Sequence, residues 1–213
     1  MKFKLFISFM FISLGIFSQN NLGLEYSFNV ELTNKAYAEA LKNDPRFKFS
    51  DSFKVFYIEK GFLRYIEKSN NFIHSTIFNN KKSELTLFDK SEIVSKKTGD
   101  YNKPEIKSKN VDVKNVITYN TKTGIYNYYY DTEKLNFNSV NLDNLGEHCM
   151  NNFIKETGVL PRKIVFEFGF MKFIVELKRT LELSSEDVNF LNTIIEKPNN
   201  KTIKKFIIMS NEK

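Results

Sequence analysis

His74 is the first candidate for a catalytic residue in this chain of 213 residues, which contains only two histidines and one cysteine. It lies in "FIHSTIF", where alternation places Phe72, His74, Thr76 and Phe78 on one face of a predicted strand. A catalytic histidine needs a neighbouring nucleophile or carboxylate, and the surrounding sequence does not identify one. We therefore interpret His74 as a structural residue.

A second group, Glu147-His148-Cys149, places three potential metal ligands side by side. Consecutive side chains diverge on a helix or a strand, so they cannot readily chelate one ion. The single cysteine, Cys149, also has no partner for an intramolecular disulfide. The sequence thus predicts neither a metal site nor a cofactor.

Glu186 and Asp187 resemble paired catalytic acids, but they follow Ser184 at the start of a predicted helix. Acidic residues in a first turn complement the helix dipole, and Ser184 with Asp187 has the spacing of a capping box. We expect these residues to stabilise the helix.

The segment "YNYYYD" places Tyr126, Tyr128 and Tyr130 on one face of a strand and Tyr129 on the other. Such a row is either a platform for stacking sugars or a strand packed on both faces, and the second interpretation is favoured. The sequence contains no GxSxG, HExxH or phosphate-loop motif. It therefore predicts a protein that is not an enzyme. A hydrolase with an unfamiliar site, dependent on His74 or His148, is the weaker alternative.

The N-terminus has the pattern of a secretory signal peptide. Lys2 and Lys4 precede an apolar run of 13 residues from Leu5 to Phe17, which is shorter than the ~20 residues of a membrane-spanning helix. We predict cleavage near Ser18, so that residues 1–18 form the signal and residues 19–213 form a single exported domain. No later apolar run is long enough for stable transmembrane insertion. The predicted location is periplasmic or secreted.

The formal net charge is +7, but the lysines are dispersed and arginines are few. Nucleic-acid-binding proteins usually gather basic residues on one face. We therefore predict no nucleic-acid partner, and interpret the charge as a solvated surface with weak attraction for anionic lipid or polysaccharide.

Alternation over residues 22–32 predicts a half-buried strand, and "TNKAYAEALKND" predicts a helix capped by Thr33 or Asn34. An antiparallel meander should follow, since four apolar segments are separated by turn residues. Its strands are "SFKVFYIE", "FLRYIE", "FIHSTIF" and "SELTLFD".

The second half is predicted to begin with a surface loop at 96–110 and a hairpin around "NTKTG". Residues 145–158 have helical spacing but are nearly as consistent with a loop. Two strands flank Gly169, a helix begins after Ser184, and "TIKKFIIMS" is predicted to close the chain as a strand.

Two stretches carry a family resemblance: "FLRYIEKSNNFIHSTIFNNKKSELTLFDKSE" (62–92) and "GVLPRKIVFEF" (158–168). With the order of elements, they resemble the periplasmic lipoprotein-carrier and localisation superfamily, and in particular uncharacterised exported proteins thought to share its fold. The resemblance implies an α+β fold with a strongly curved, half-barrel-like antiparallel sheet, a few short helices and an apolar cavity. It also implies that Arg64, in "FLRY", contacts the ligand; otherwise Arg64 is a surface or rim arginine.

The leading functional hypothesis is thus an exported, soluble, non-enzymatic protein that binds or carries an apolar or amphipathic ligand such as a lipid or acyl chain. The alternative is a cell-envelope module that binds a protein or glycan through a sheet edge or the basic surface.

Overall fold

The computed structural model describes residues 21–41, 50–68, 72–89, 92–98, 105–112, 114–131 and 149–211. The predicted signal peptide, Glu147 and His148 lie outside these residues. These residues form eleven strands and four helices. In chain order they are β1 Leu22–Leu32, α1 Lys35–Leu41, β2 Ser50–Ile58, β3 Gly61–Lys68, β4 Phe72–Asn79, β5 Glu84–Asp89, β6 Glu92–Thr98, β7 Ile106–Asp112, β8 Val116–Thr121, β9 Ile125–Tyr129, α2 Met150–Thr157, β10 Lys163–Phe168, β11 Met171–Leu181, α3 Ser185–Glu196 and α4 Asn200–Asn211.

The eleven strands form one antiparallel sheet in the order β6-β5-β4-β3-β2-β1-β11-β10-β9-β8-β7. Two meanders therefore meet at the pairing of β1 with β11, the longest ladder in the sheet. This arrangement confirms the α+β class and the predicted antiparallel meander. The predicted helix after β1 is also confirmed as α1. Asn34, one of its two predicted caps, accepts a hydrogen bond of 2.9 Å at Oδ1 from the Ala36 amide.

The expected strong, half-barrel-like curvature is wrong, because the sheet is neither closed nor strongly curled. Helices pack on both of its faces, whereas a half-barrel would gather them on its concave side. The face that carries Tyr26, here called face A, packs against α2 through Phe153 and Ile154. The face that carries Phe56, here called face B, packs against α3 and α4.

Two local predictions are also corrected. Much of the predicted loop at 96–110 is strand, because β6 ends at Thr98 and β7 begins at Ile106. These are the two edge strands. An edge strand such as β7, exposed along almost its whole length, lacks the apolar alternation that marks a half-buried strand.

The predicted final strand is instead helix α4. Ile203, Phe206 and Ile207 have the i, i+3, i+4 spacing of one helix face, and all three are buried against face B. Burying these three side chains against Phe56 and Leu191 requires the helical period, so tertiary packing decides the conformation of this segment.

Candidate functional site

The centre of face A holds an open pocket with a volume of about 440 Å³. Within the described residues, α2 packs on face A beside β9, where Phe153 stacks on Tyr128 with ring centroids 5.0 Å apart, and Met150 at the start of α2 lines the pocket. Large side chains of β1, β2, β3, β10 and β11 surround a space next to α2. The pocket volume falls within the range of small-molecule sites.

Aromatic rings form most of the pocket wall: five Phe and four Tyr occur among its fifteen lining residues. Many of the rings contact one another, as Tyr126 and Phe166 do with centroids 4.1 Å apart and nearly parallel planes. Neighbouring strands place several of these rings directly opposite one another, as in the pairs Tyr26–Phe53, Phe166–Phe173 and Tyr126–Phe166. The lining residues are Tyr26, Phe28, Phe53, Val55, Tyr57, Phe62, Arg64, Ile66, Tyr126, Tyr128, Met150, Ile164, Phe166, Phe173 and Val175.

Arg64 is the one charged residue among the described residues of this lining. It lies on β3 in register with Val55 of β2 and Thr76 of β4, and its Nη2 donates a hydrogen bond of 3.4 Å to Thr76 Oγ1. Apolar walls screen a charge less than water does, so a guanidinium group here attracts an anionic group more strongly than it would in open solvent. The structure thus brings the sequence-predicted ligand residue into a pocket, while its binding role remains a prediction.

The other candidate residues are placed as follows. His74 is half-buried on β4 and does not line the pocket. Cys149 is buried at the start of α2, where burial raises the pKa of its thiol to about 12. A thiol with that pKa stays protonated near neutral pH and is a poor nucleophile.

Asp187 forms the capping box of α3 with Ser184, as predicted, and Glu186 lies in the same first turn. The Ser184 side chain accepts from the Asp187 amide, and the Asp187 carboxylate accepts from the Ser184 amide at 2.9 Å. Among the described residues, no group of three His, Cys, Asp or Glu side chains is arranged to hold a metal ion.

The tyrosine row on β9 packs on one face of the sheet instead of two. Tyr126 and Tyr128 are buried in face A, whereas Tyr129 on face B is 37% exposed. Both buried rings line the pocket.

Sequence reasoning missed most of the aromatic lining, including Phe28, Phe53 and Phe173. The signal was present as aromatic residues at alternate positions of neighbouring strands, but the same pattern is typical of an ordinary core. Only the position of α2 distinguishes the two, and it depends on tertiary structure.

In the described part of the chain, no helix combines the length and the apolar character needed to cross a membrane. No model of a known protein family matches the chain, and no curated protein is significantly similar to it.

Proposed function

We propose that this is an exported, non-enzymatic protein that binds an amphipathic ligand, with an acyl or comparable apolar chain between the aromatic rings and an anionic head group near Arg64. The observation that carries the proposal is the combination of an aromatic-lined pocket of about 440 Å³ with a single charged residue, Arg64, among the described lining residues. The apolar chain gains from burial against the rings. The charge near the chain gives the ligand its orientation.

Strand addition at a sheet edge, the mode available to an envelope module, has less support. The pairings of both edge strands contain a register irregularity, at Leu87/Phe88 next to β6 and at Ile106/Ser108 in β7. Bulges and lysines are features that oppose the pairing of an edge with another chain. Strand β7 carries Lys107 and Lys109 in addition to its irregularity.

The first test is native mass spectrometry of protein recovered from a Gram-negative periplasm after expression of the full chain, followed by organic extraction. The proposal predicts a reproducible lipid adduct that extraction removes, or uptake of an added long-chain fatty acid by protein that is recovered empty. A bare polypeptide mass with no uptake of fatty acid would contradict it.

A second test separates the head group from the chain. Binding of a fatty acid and of the fatty alcohol of equal length is measured by displacement of a fluorescent fatty-acid analogue. Arg64→Leu should weaken fatty-acid binding about ten-fold or more, because it removes a charge-assisted hydrogen bond. Binding of the alcohol should change little.

Arg179→Leu is the matched control. Arg179 is exposed on β11, outside the pocket, and its Nε donates a hydrogen bond of 2.9 Å to Glu25 Oε2. The substitution therefore removes the same charge as Arg64→Leu, but at a site that does not line the pocket. An equal loss of fatty-acid affinity in both variants would show that overall charge, and not Arg64, attracts the ligand.

A further inference from the structure

Three exposed aromatic side chains gather at one end of the sheet, and we call them the aromatic tip: Tyr37, Phe168 and Phe170. They are 51%, 46% and 40% exposed respectively. Phe168 and Phe170 flank Gly169 in the turn between β10 and β11, and the ring of Phe170 stacks on Tyr37 with centroids 4.9 Å apart. The Thr33 amide donates to the Phe170 carbonyl at 2.9 Å, which holds the start of α1 beside this turn.

This clustering sets the aromatic tip apart from the rest of the described surface. The other exposed large apolar residues are distributed over β6, β7, β9 and α4: Ile93, Val111, Ile125, Tyr129 and Ile208. Single exposed apolar residues need no explanation, whereas a contiguous group of exposed aromatic rings is typical of an interaction surface.

The aromatic tip is continuous with the pocket. Phe168 is 6.2 Å from Phe166 between ring centroids, and Phe166 is 5.8 Å from Phe173. Phe166 and Phe173 both line the pocket. A path of aromatic rings therefore leads from the exposed turn to the binding space.

We infer that the aromatic tip docks on the surface of a lipid bilayer and is the end of the molecule that takes up or releases the ligand. A turn that projects its rings needs a concave surface on a protein partner, whereas a bilayer interface accepts aromatic side chains without a matching shape. The formal charge is +7 for the full chain, and subtracting Lys2 and Lys4 of the predicted signal leaves +5 for the exported protein, which adds attraction to anionic lipid. The inference rests on the proposed function only in assigning the aromatic tip to ligand exchange.

The chain contains no tryptophan, so Phe168→Trp is a single fluorescent reporter of the aromatic tip. Ile208→Trp is its matched control, because Ile208 is 61% exposed on α4, which packs on face B. Both are prepared from the full chain, and intact mass establishes that they share the same N-terminus. Vesicles of phosphatidylethanolamine and phosphatidylglycerol containing brominated lipid are then added.

We expect the Phe168→Trp fluorescence to shift to the blue and to be quenched by the brominated lipid, while Ile208→Trp is unchanged. Equal quenching of the two reporters would overturn the inference, because attachment would not depend on the aromatic tip. Absence of quenching in both would overturn it too, as would tip-dependent dimerisation without vesicle binding.

Vesicle flotation provides the second measurement. Phe168→Ser/Phe170→Ser should reduce partitioning about ten-fold, since the apolar area that would enter the interface is lost, and Ile208→Ser should not. Unchanged partitioning of the double variant would overturn the inference. Fatty-acid uptake is measured separately in solution, without vesicles. A wild-type protein that takes up fatty acid but does not bind vesicles would reject the docking surface and keep the proposed function. A wild-type protein that binds vesicles but takes up no fatty acid would reject the proposed function and keep the docking surface.

Discussion

The side-chain amide of Asn79, at the end of β4, donates a hydrogen bond of 3.0 Å to the carbonyl of Ile195 in the last turn of α3. Its Oδ1 also accepts from the Lys82 amide at 3.0 Å, so one buried side chain joins a helix end to the turn that follows β4. The last carbonyls of a helix have no partners within the helix. Asn79 supplies one and fixes α3 over face B.

Replacing Asn79 should therefore destabilise the protein. Asn79→Ala removes both hydrogen bonds and leaves the buried Ile195 carbonyl without this partner, and we expect the free energy of unfolding to fall by about 1–3 kcal/mol. Urea denaturation measures the change. Asn120→Ala, which removes an exposed hydrogen bond to Ser108, is the control, with an expected loss of less than about 0.5 kcal/mol. Equal losses in both variants would contradict a special role for Asn79.

Asn79 shows how far the sequence could predict the fold. The Asn79-Asn80 pair correctly predicted a turn after β4, because asparagine has local conformational preferences that favour turns. The hydrogen bond to Ile195 was not predictable, since 116 positions separate the partners. Local chemistry thus identified most strands and turns, while contacts distant in sequence needed the folded chain.

Helix α4 was mispredicted although a local signal for it existed. Short apolar runs such as "FIIM" fit either a strand or a helix. Asn199, however, caps this helix, as its Oδ1 accepts from the Thr202 amide at 2.9 Å. An asparagine between Pro198 and a threonine three positions later is a recognisable helix start.

The candidate site was only partly predictable for a different reason. Alternation assigned Arg64 and the aromatic residues to faces of strands, and that periodicity is local. Whether a helix covers a given part of a face depends on where α2 packs. Residues such as Phe28 and Phe173 therefore could not be distinguished from core residues by pattern.

The hydroxyl group of Tyr26 is buried and has no hydrogen-bond partner among the described residues. Tyr26→Phe removes this unsatisfied group and keeps the ring that stacks on Phe53, with centroids 5.2 Å apart. We expect stability to be unchanged or to rise by about 1 kcal/mol. Tyr65→Phe is the counterpart, because the Tyr65 hydroxyl is 3.2 Å from Ser210 Oγ, and it should cost about 1 kcal/mol. A clear loss of thermal stability in Tyr26→Phe would disprove this account.

The buried thiol of Cys149 and the buried phenol of Tyr126 should make the folded protein less stable at high pH. Burial raises the pKa of the Cys149 thiol to about 12 and also raises the pKa of the Tyr126 phenol. The unfolded-state pKa values are about 8.5 for the thiol and about 10 for the phenol. Stabilisation is therefore complete below about pH 8.5 and is lost as the pH rises toward 12, since the unfolded chain releases its protons first.

Urea unfolding across this pH range tests the prediction, with Cys149→Ala as the comparison. The variant should show a shallower decline of unfolding free energy with pH, by as much as about 1.4 kcal/mol per pH unit between the two thiol pKa values. A pH-independent loss of stability caused by the substitution shifts the whole curve and does not change this slope. Identical slopes, or rapid alkylation of Cys149 in the folded protein, would refute the raised thiol pKa.

Filling the pocket should abolish binding without unfolding the protein. Val175 is half-buried on β11 between Phe28 and Ile164, and it lines the pocket. Val175→Phe adds volume where the structure has space, so the overpacking cost of about 1–3 kcal/mol seen in close-packed cores should be largely avoided. Uptake of a fluorescent fatty acid should fall by an order of magnitude or more, while the denaturation midpoint changes little. Val111→Phe makes the same substitution at an exposed site on β7 and should bind normally. Retained uptake in Val175→Phe would place the ligand elsewhere and reject the pocket as its site.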